Sequence, residues 1–161
     1  MAIVECFVPV IAPATPQDIE EVQVLFREYA ALVEEALCFG DFDGELAALP
    51  GEYAPPAGAL LLARSAGAAA GCVALRRLDG ATGEMKRMYV RAAYRGTGLG
   101  RRLALAVIDE ARRRGFRRLV LDTLPKLAPA IALYRGLGFR EVDPYLARPT
   151  PGALCFALRL S

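Results

Sequence analysis

The chain has 161 residues, 55% hydrophobic and 24% charged, a globular balance that fits one domain, expected to span 1–161, and leaves little room for a second. Such a domain buries about 70% of its unfolded surface and needs no metal or disulfide staple. Histidine is absent and net charge is only +2, so Ser-His and Cys-His catalysis and any His-ligated metal are excluded.

Ile3 to Ile11 reads as a first strand. The first five residues lack a basic stretch and meet an acid early, unlike a secretory signal. Thr15, Pro16 and Asp18 mark a helix start. Ile19, Val22, Phe26, Tyr29, Val33 and Leu37 recur at helical spacing, which predicts a helix of about six turns. Phe42 to Leu49 suggests a second, short helix ended by Pro50-Gly51, and Pro55-Pro56 is a rigid connector. Ala57 to Leu75 has only Arg64 and Ser65 as polar residues. Arg64 at mid-bilayer would cost about 2.5–3.5 kcal/mol, so this stretch reads instead as two strands, Leu60 to Ala63 and Cys72 to Leu75, joined by a turn around Ser65-Ala66-Gly67.

Glu84 to Val90 is the next strand. Leu99, Leu103, Val107 and Ala111 then line one face of a helix that runs to Arg114 and stops at Gly115. Leu119-Val120-Leu121 is an apolar run, expected as a buried strand parallel to the strand before that helix. Pro129 to Leu137 reads as a short helix with Gly138 at its C-cap. Phe139 to Tyr145 and Leu154 to Leu160 read as closing strands. The order β-α-α-β-β-β-α-β-α-β-β predicts an α/β protein, a three-layer α/β/α sandwich around one mixed, mainly antiparallel sheet.

Charge is laid out unevenly. Eleven acids and one base lie between Met1 and Gly58, net −10, whereas eleven bases and two acids lie between Lys86 and Arg118, net +9. The positive segment should face a polyanion, although Arg112, Arg113 and Arg114 equally suit a solvated helix end. Cys6, Cys38, Cys72 and Cys155 lie far apart with no C-x-x-C pair, so no zinc site is expected. They read as small buried residues in a reducing cytoplasm.

The segment Arg95-Gly96-Thr97-Gly98-Leu99-Gly100-Arg101 sits between a strand and a helix. Its three glycines bring bare N–H groups close to a ligand, and the helix N-terminus favours a phosphate. A nucleoside-triphosphate loop would need G-x-x-x-x-G-K-[ST], which is absent. A dinucleotide fingerprint starting at Gly96 would need Gly or Ala where Arg101 stands. Read instead as Arg95-x-x-Gly98-x-Gly100 after Met88-Tyr89-Val90, the segment resembles motif A of the GNAT superfamily of acyl-CoA-dependent N-acyltransferases. Downstream, Ala130-x-x-Leu133-Tyr134-x-x-Leu137-Gly138-Phe139 resembles that family's A-x-x-L-Y-x-x-x-G-F signature.

The resemblance implies that N–H groups from Gly96 through Thr97, Gly98, Leu99 and Gly100 to Arg101 hold the pyrophosphate of acetyl-CoA. It also implies that the backbone of Met88, Tyr89 and Val90 pairs with the pantetheine arm, one N–H there polarising the thioester carbonyl. Many members carry an Asn near the end of the following strand. Here Asp122-Thr123-Leu124-Pro125 stands instead, with Thr123 as the substitute. Acyl transfer to an amine needs a base for the amine and an acid for the leaving thiolate. The resemblance points to Tyr134 as the acid and Glu84 as the base; an ion pair of Glu84 with Lys86 or Arg87 is the competing reading. The expected protein is a cytoplasmic N-acetyltransferase using acetyl-CoA and no metal. Its partner is a small-molecule or peptide amine, with no nucleic acid, no membrane, and homodimerisation left open. The acidic N-terminal region hints at a cationic amine. A non-catalytic acyl-CoA-binding module is the alternative. A nucleic-acid-binding protein is disfavoured, since Lys86 to Arg118 interleaves only Tyr89, Tyr94 and Phe116 with its bases.

Overall fold

The computed structural model describes residues 8–33 and 41–161. Among these, seven strands are β1 (Val10–Pro13), β2 (Ala59–Ser65), β3 (Ala68–Arg77), β4 (Thr82–Val90), β5 (Arg118–Thr123), β6 (Arg140–Val142) and β7 (Leu154–Arg159). They form one sheet in the order β1-β2-β3-β4-β5-β7-β6. Only β4 and β5 pair in parallel, as the intervening helical crossover requires. The helices are α1 (Ile19–Leu32), α2 (Phe42–Ala48), α3 (Leu99–Arg113) and α4 (Ala128–Gly136).

Strand alternation sets the layers. Along β2, Ala59, Leu61 and Ala63 join the core under α3 and α4, while Leu60 and Leu62 join the core under α1 and α2. Helix α3 supplies Leu99, Leu103, Val107, Ile108 and Ala111 to the first core. Helix α1 supplies Val22, Leu25 and Phe26 to the second. Each such large side chain contributes about 1.5–3 kcal/mol by leaving water. At the end of α3, Gly115 takes φ +79° and Phe116 donates its N–H to the Ala111 carbonyl, the left-handed stop expected there.

Part of the N-terminal acidity is spent on joining these layers. Arg64 of β2 lies 2.6 Å from both Asp18 and Glu21. Arg76 of β3 meets Glu52 at 2.9 Å. Arg87 of β4 grips Glu45 with two bonds, at 2.9 and 3.0 Å, and Arg91 just beyond it meets Glu28 at 2.7 Å. Acids of the N-terminal region thus dock on cations of the central strands.

The feature that positions the site is a parting of β4 from β5. Their register covers only Thr82↔Arg118, Gly83↔Leu119 and Glu84↔Val120. Gly83 lets the Phe116 ring pack directly on the strand there, because a Cβ would meet the ring at 2.9 Å. Beyond Glu84, β4 carries a bulge: Ala74 pairs with Lys86 but Cys72 pairs with Tyr89, which leaves Arg87 and Met88 opposite a single residue. Arg87 adopts φ +56°, a left-handed conformation that costs a non-glycine residue about 1 kcal/mol or more. The fork to Glu45 holds it there. A bulge bends and twists its strand, and here it turns Met88 to Val90 away from β5.

The observed order of helices and strands is the predicted one. The first strand begins at Val10 and overlaps the predicted span only at Val10 and Ile11; residues 1–7 lie outside the described residues. The described helix α1 ends at Leu32, with Val33 as its cap, and Leu37 lies outside the described residues. Strand β6 is three residues long rather than seven, because Pro144 has no N–H to continue a ladder.

Candidate active site

The loop ahead of α3 is built for backbone donation. Gly96 and Gly98 take φ +75° and +85°, and a side chain at either would meet nothing within 4 Å; conformation, not space, selects glycine here. No side chain caps α3, and its first backbone bond is Arg102 N–H to the Gly98 carbonyl. Among the described residues, no protein group accepts from the N–H groups of Gly96 to Arg101. They surround a helix N-terminus, where unpaired donors and the helix dipole favour an anion. Thr97 braces the loop by donating to the Tyr94 carbonyl at 2.5 Å. Arg95 folds back, donating to the Val90 carbonyl at 2.9 Å and lying over the Tyr89 ring, so its side chain pins the loop to β4. Arg102 donates to the Pro9 carbonyl at 2.7 Å, while Arg101 stays exposed.

Where β4 and β5 part, a cleft opens. One wall is β4, through Met85, Lys86, Arg87 and Met88; the other is β5, through Leu121, Asp122 and Thr123. Tyr134 and Ala130 of α4 close it on one side and Tyr29 of α1 on the other. The loop and the cleft are contiguous, since the Gly100 position lies within van der Waals reach of Met88, Val90 and Leu133. The β5-facing backbone edge of Met88 to Val90 has no strand partner.

Tyr134 is buried, yet it lines the cleft. Its ring packs edge-on against Phe139, with centroids 5.8 Å apart. Its hydroxyl bonds to no described residue. Burial pushes its pKa up, with a smaller contribution from Tyr29, so the phenol stays protonated across the neutral range. Thr123 lines the same cleft near the end of β5. Leu99 is buried in the core and contributes only backbone to the loop. Tyr89 turns toward α1, its hydroxyl 3.2 Å from Glu28, so its side chain stays out of the cleft.

Glu84 sits differently from the expectation. It is fully buried and lies in a central strand. One carboxylate oxygen accepts from Arg76 Nε at 2.6 Å and the other from the Tyr145 hydroxyl at 2.6 Å. Lys86 Nζ stands 3.9 Å away, whereas Arg87, the other expected partner, is committed to Glu45. Glu84 is not among the residues that line the cleft. Lys86 and Asp122 do line it, as does Tyr29; from sequence, Asp122 stood only beside Thr123 in place of the usual Asn, Lys86 only as a partner of Glu84, and Tyr29 had no place at the site. Tyr29 was hidden in the apolar periodicity of α1. For Lys86 and Asp122 the available signal was parity: each lies two residues beyond the last paired position and shares the Glu84 face. Burial lowers the Lys86 pKa, opposed by Glu84.

Comparison with known proteins decides the family. The profile of the acetyltransferase (GNAT) family matches residues 19–139. This chain is a GNAT-family N-acetyltransferase. It is 39% identical over 148 residues to a Schizosaccharomyces pombe protein named as an uncharacterized N-acetyltransferase, covering 91% of each chain. Among solved structures, the acetyltransferase resembles a Klebsiella pneumoniae protein described as an acyl-CoA N-acyltransferase, with TM-score 0.77 and 29% identity over 96% of this chain and 99% of that one. A Salmonella typhimurium acetyltransferase solved with acetyl-CoA shares the fold, with TM-score 0.73 and 24% identity over 96% of this chain and 95% of that one. Among the described residues, no helix of the acetyltransferase is long and apolar enough to cross a membrane.

Proposed function

We propose that the protein transfers an acetyl group from acetyl-CoA directly to a primary amine, with Tyr134 as general acid. The observation that carries this reading is the continuity of two backbone edges: the N–H groups of Gly96 to Arg101, which no described group accepts, and the β5-facing edge of Met88 to Val90, which has no strand partner. The first suits a pyrophosphate and the second an extended amide-bearing arm. Acetyl-CoA, when bound, supplies the activated acetyl group as a thioester. Arg101 offers its charge to the nucleotide end, while Arg95 and Thr97 keep the loop in shape. Thr123 provides a hydroxyl on the β5 wall in place of the family's usual Asn.

Tyr134 holds its proton at the cleft and donates it to the leaving sulfur. Its raised pKa does not disqualify it, because desolvation in the same cleft also raises the proton affinity of a thiolate. Glu84 is assigned a positioning role: its two short hydrogen bonds fix Tyr145 and Arg76. Asp122, facing the cleft without a hydrogen bond or ion pair among the described residues, takes the proton of the acceptor amine. The test is CoA release from acetyl-CoA across a panel of amines, with acetyl-CoA affinity measured by calorimetry. Tight binding and amine-dependent release support the reading. Tight binding without release from any amine favours the non-catalytic module.

A further inference from the structure

We infer that the acceptor is a free amino acid or a close analogue, an amine with a carboxylate on the same or a neighbouring carbon, its amine on Asp122 and its carboxylate on Lys86. This rests on acetyl transfer at the cleft just described.

Most charges on the α1 and α2 side of the cleft pair with one another. Arg87 is matched by Glu45, Arg91 by Glu28, and Arg76 by Glu84 and Glu52. Among the described residues that line the cleft, that leaves one cation and one anion. Lys86 has Glu84 as its nearest acid among the described residues, at 3.9 Å, and both oxygens of that carboxylate are already engaged at 2.6 Å. Asp122 makes no side-chain hydrogen bond or ion pair with any described residue. Lys86 and Asp122 stand on adjacent strands, on one face of the sheet, each two residues beyond the Glu84↔Val120 pair. Their fields reach each other, yet they do not pair.

A cation and an anion set side by side in a part-buried cleft each lack a full partner, and leaving either unmatched is costly. A zwitterion satisfies both. A simple amine leaves Lys86 with only the shared Glu84 carboxylate at 3.9 Å, and a simple acid leaves Asp122 unmatched. The α-amine of a peptide has an amide where a free amino acid has its carboxylate, so peptide N-termini are disfavoured by the same arithmetic. Five of the N-terminal acids that hinted at a purely cationic acceptor are already committed: Asp18, Glu21, Glu28, Glu45 and Glu52 all hold arginines.

The test compares free amino acids with their own amides and decarboxylated amines. It follows CoA release, and it follows binding by calorimetry in the presence of CoA. Amino acids should exceed their amides in kcat/KM by about tenfold or more, the worth of one charge-assisted contact. Lys86→Met should abolish that preference by raising KM for amino acids, with acetyl-CoA affinity unchanged as the check on folding. Lys86→Arg should restore it. Equal turnover of amides and amino acids, or a Lys86→Met loss that is equal for both, overturns the inference and leaves acetyl transfer standing. If no amino acid is either acetylated or bound in the presence of CoA, the inference falls; failure to bind acetyl-CoA itself would take the acetyl-transfer reading with it.

Discussion

Replacing Tyr134 by Phe isolates a single atom. The ring stays, together with its edge-on contact to Phe139 at 5.8 Å and its place in the core beneath α3. The hydroxyl that is lost bonds to no described residue, so no protein hydrogen bond disappears, and stability should change by less than about 1 kcal/mol. Acetyl-CoA affinity should also survive, because the loop and the β4 edge act through backbone. Turnover should not. A positioned proton donor is worth roughly 10²–10⁴-fold in rate, or about 2.7–5.4 kcal/mol of barrier. The pH profile gives an independent reading. Burial raises the Tyr134 pKa above its ordinary value near 10, so the acid remains protonated up to at least that pH. Loss of its proton should therefore produce no fall in kcat between pH 7 and 10. The assay is steady-state CoA release with a competent amine, wild type against variant, after calorimetry has shown equal acetyl-CoA binding. A Phe variant with full kcat would refute the assignment and leave water as the proton source. A wild-type kcat that collapses near pH 8 and is flat in the variant would show an acid of the wrong pKa.

Three further outcomes follow from the same geometry. Gly98→Glu puts a side chain on a backbone at φ +85° and a negative charge among the loop N–H groups; calorimetry should show acetyl-CoA affinity lost, with the fold retained because nothing lies within 4 Å of that position. CoA binding should weaken with salt, and dephospho-CoA should bind more weakly than CoA; Arg101→Ala should erase that difference while Arg102, tied to the Pro9 carbonyl, should matter less. Glu84→Gln should lower stability by about 1.5–3 kcal/mol through the loss of a charged acceptor for Arg76 and Tyr145, read by chemical denaturation. Its kcat–pH profile should keep the wild-type shape, and a deficit at neutral pH that is rescued at high pH would make Glu84 the base after all.

Some of this was readable in the chain and some was not, for physical reasons. Periodicity exposed α3 because Leu99, Leu103, Val107 and Ala111 face one core, and the glycine loop was readable because positive φ leaves few other residue choices. Tyr134 came only with a motif, since an amphipathic ring in a helix looks the same whether it packs or donates. Glu84 illustrates the limit most clearly. Its strand and its face followed from sequence, and so did the acidity of its carboxyl group. Its partners come from residues 8 and 61 positions away, Arg76 and Tyr145, and a contact closed by the fold leaves no local trace. The same holds for the two charges that face the cleft. Lys86 and Asp122 are ordinary strand residues until β4 and β5 part, and they part because of a bulge at Arg87 held by Glu45 from a different layer. The acidic excess of the N-terminal region is therefore a docking device as much as a surface, and which charges remain for a ligand is decided only after the layers have paired.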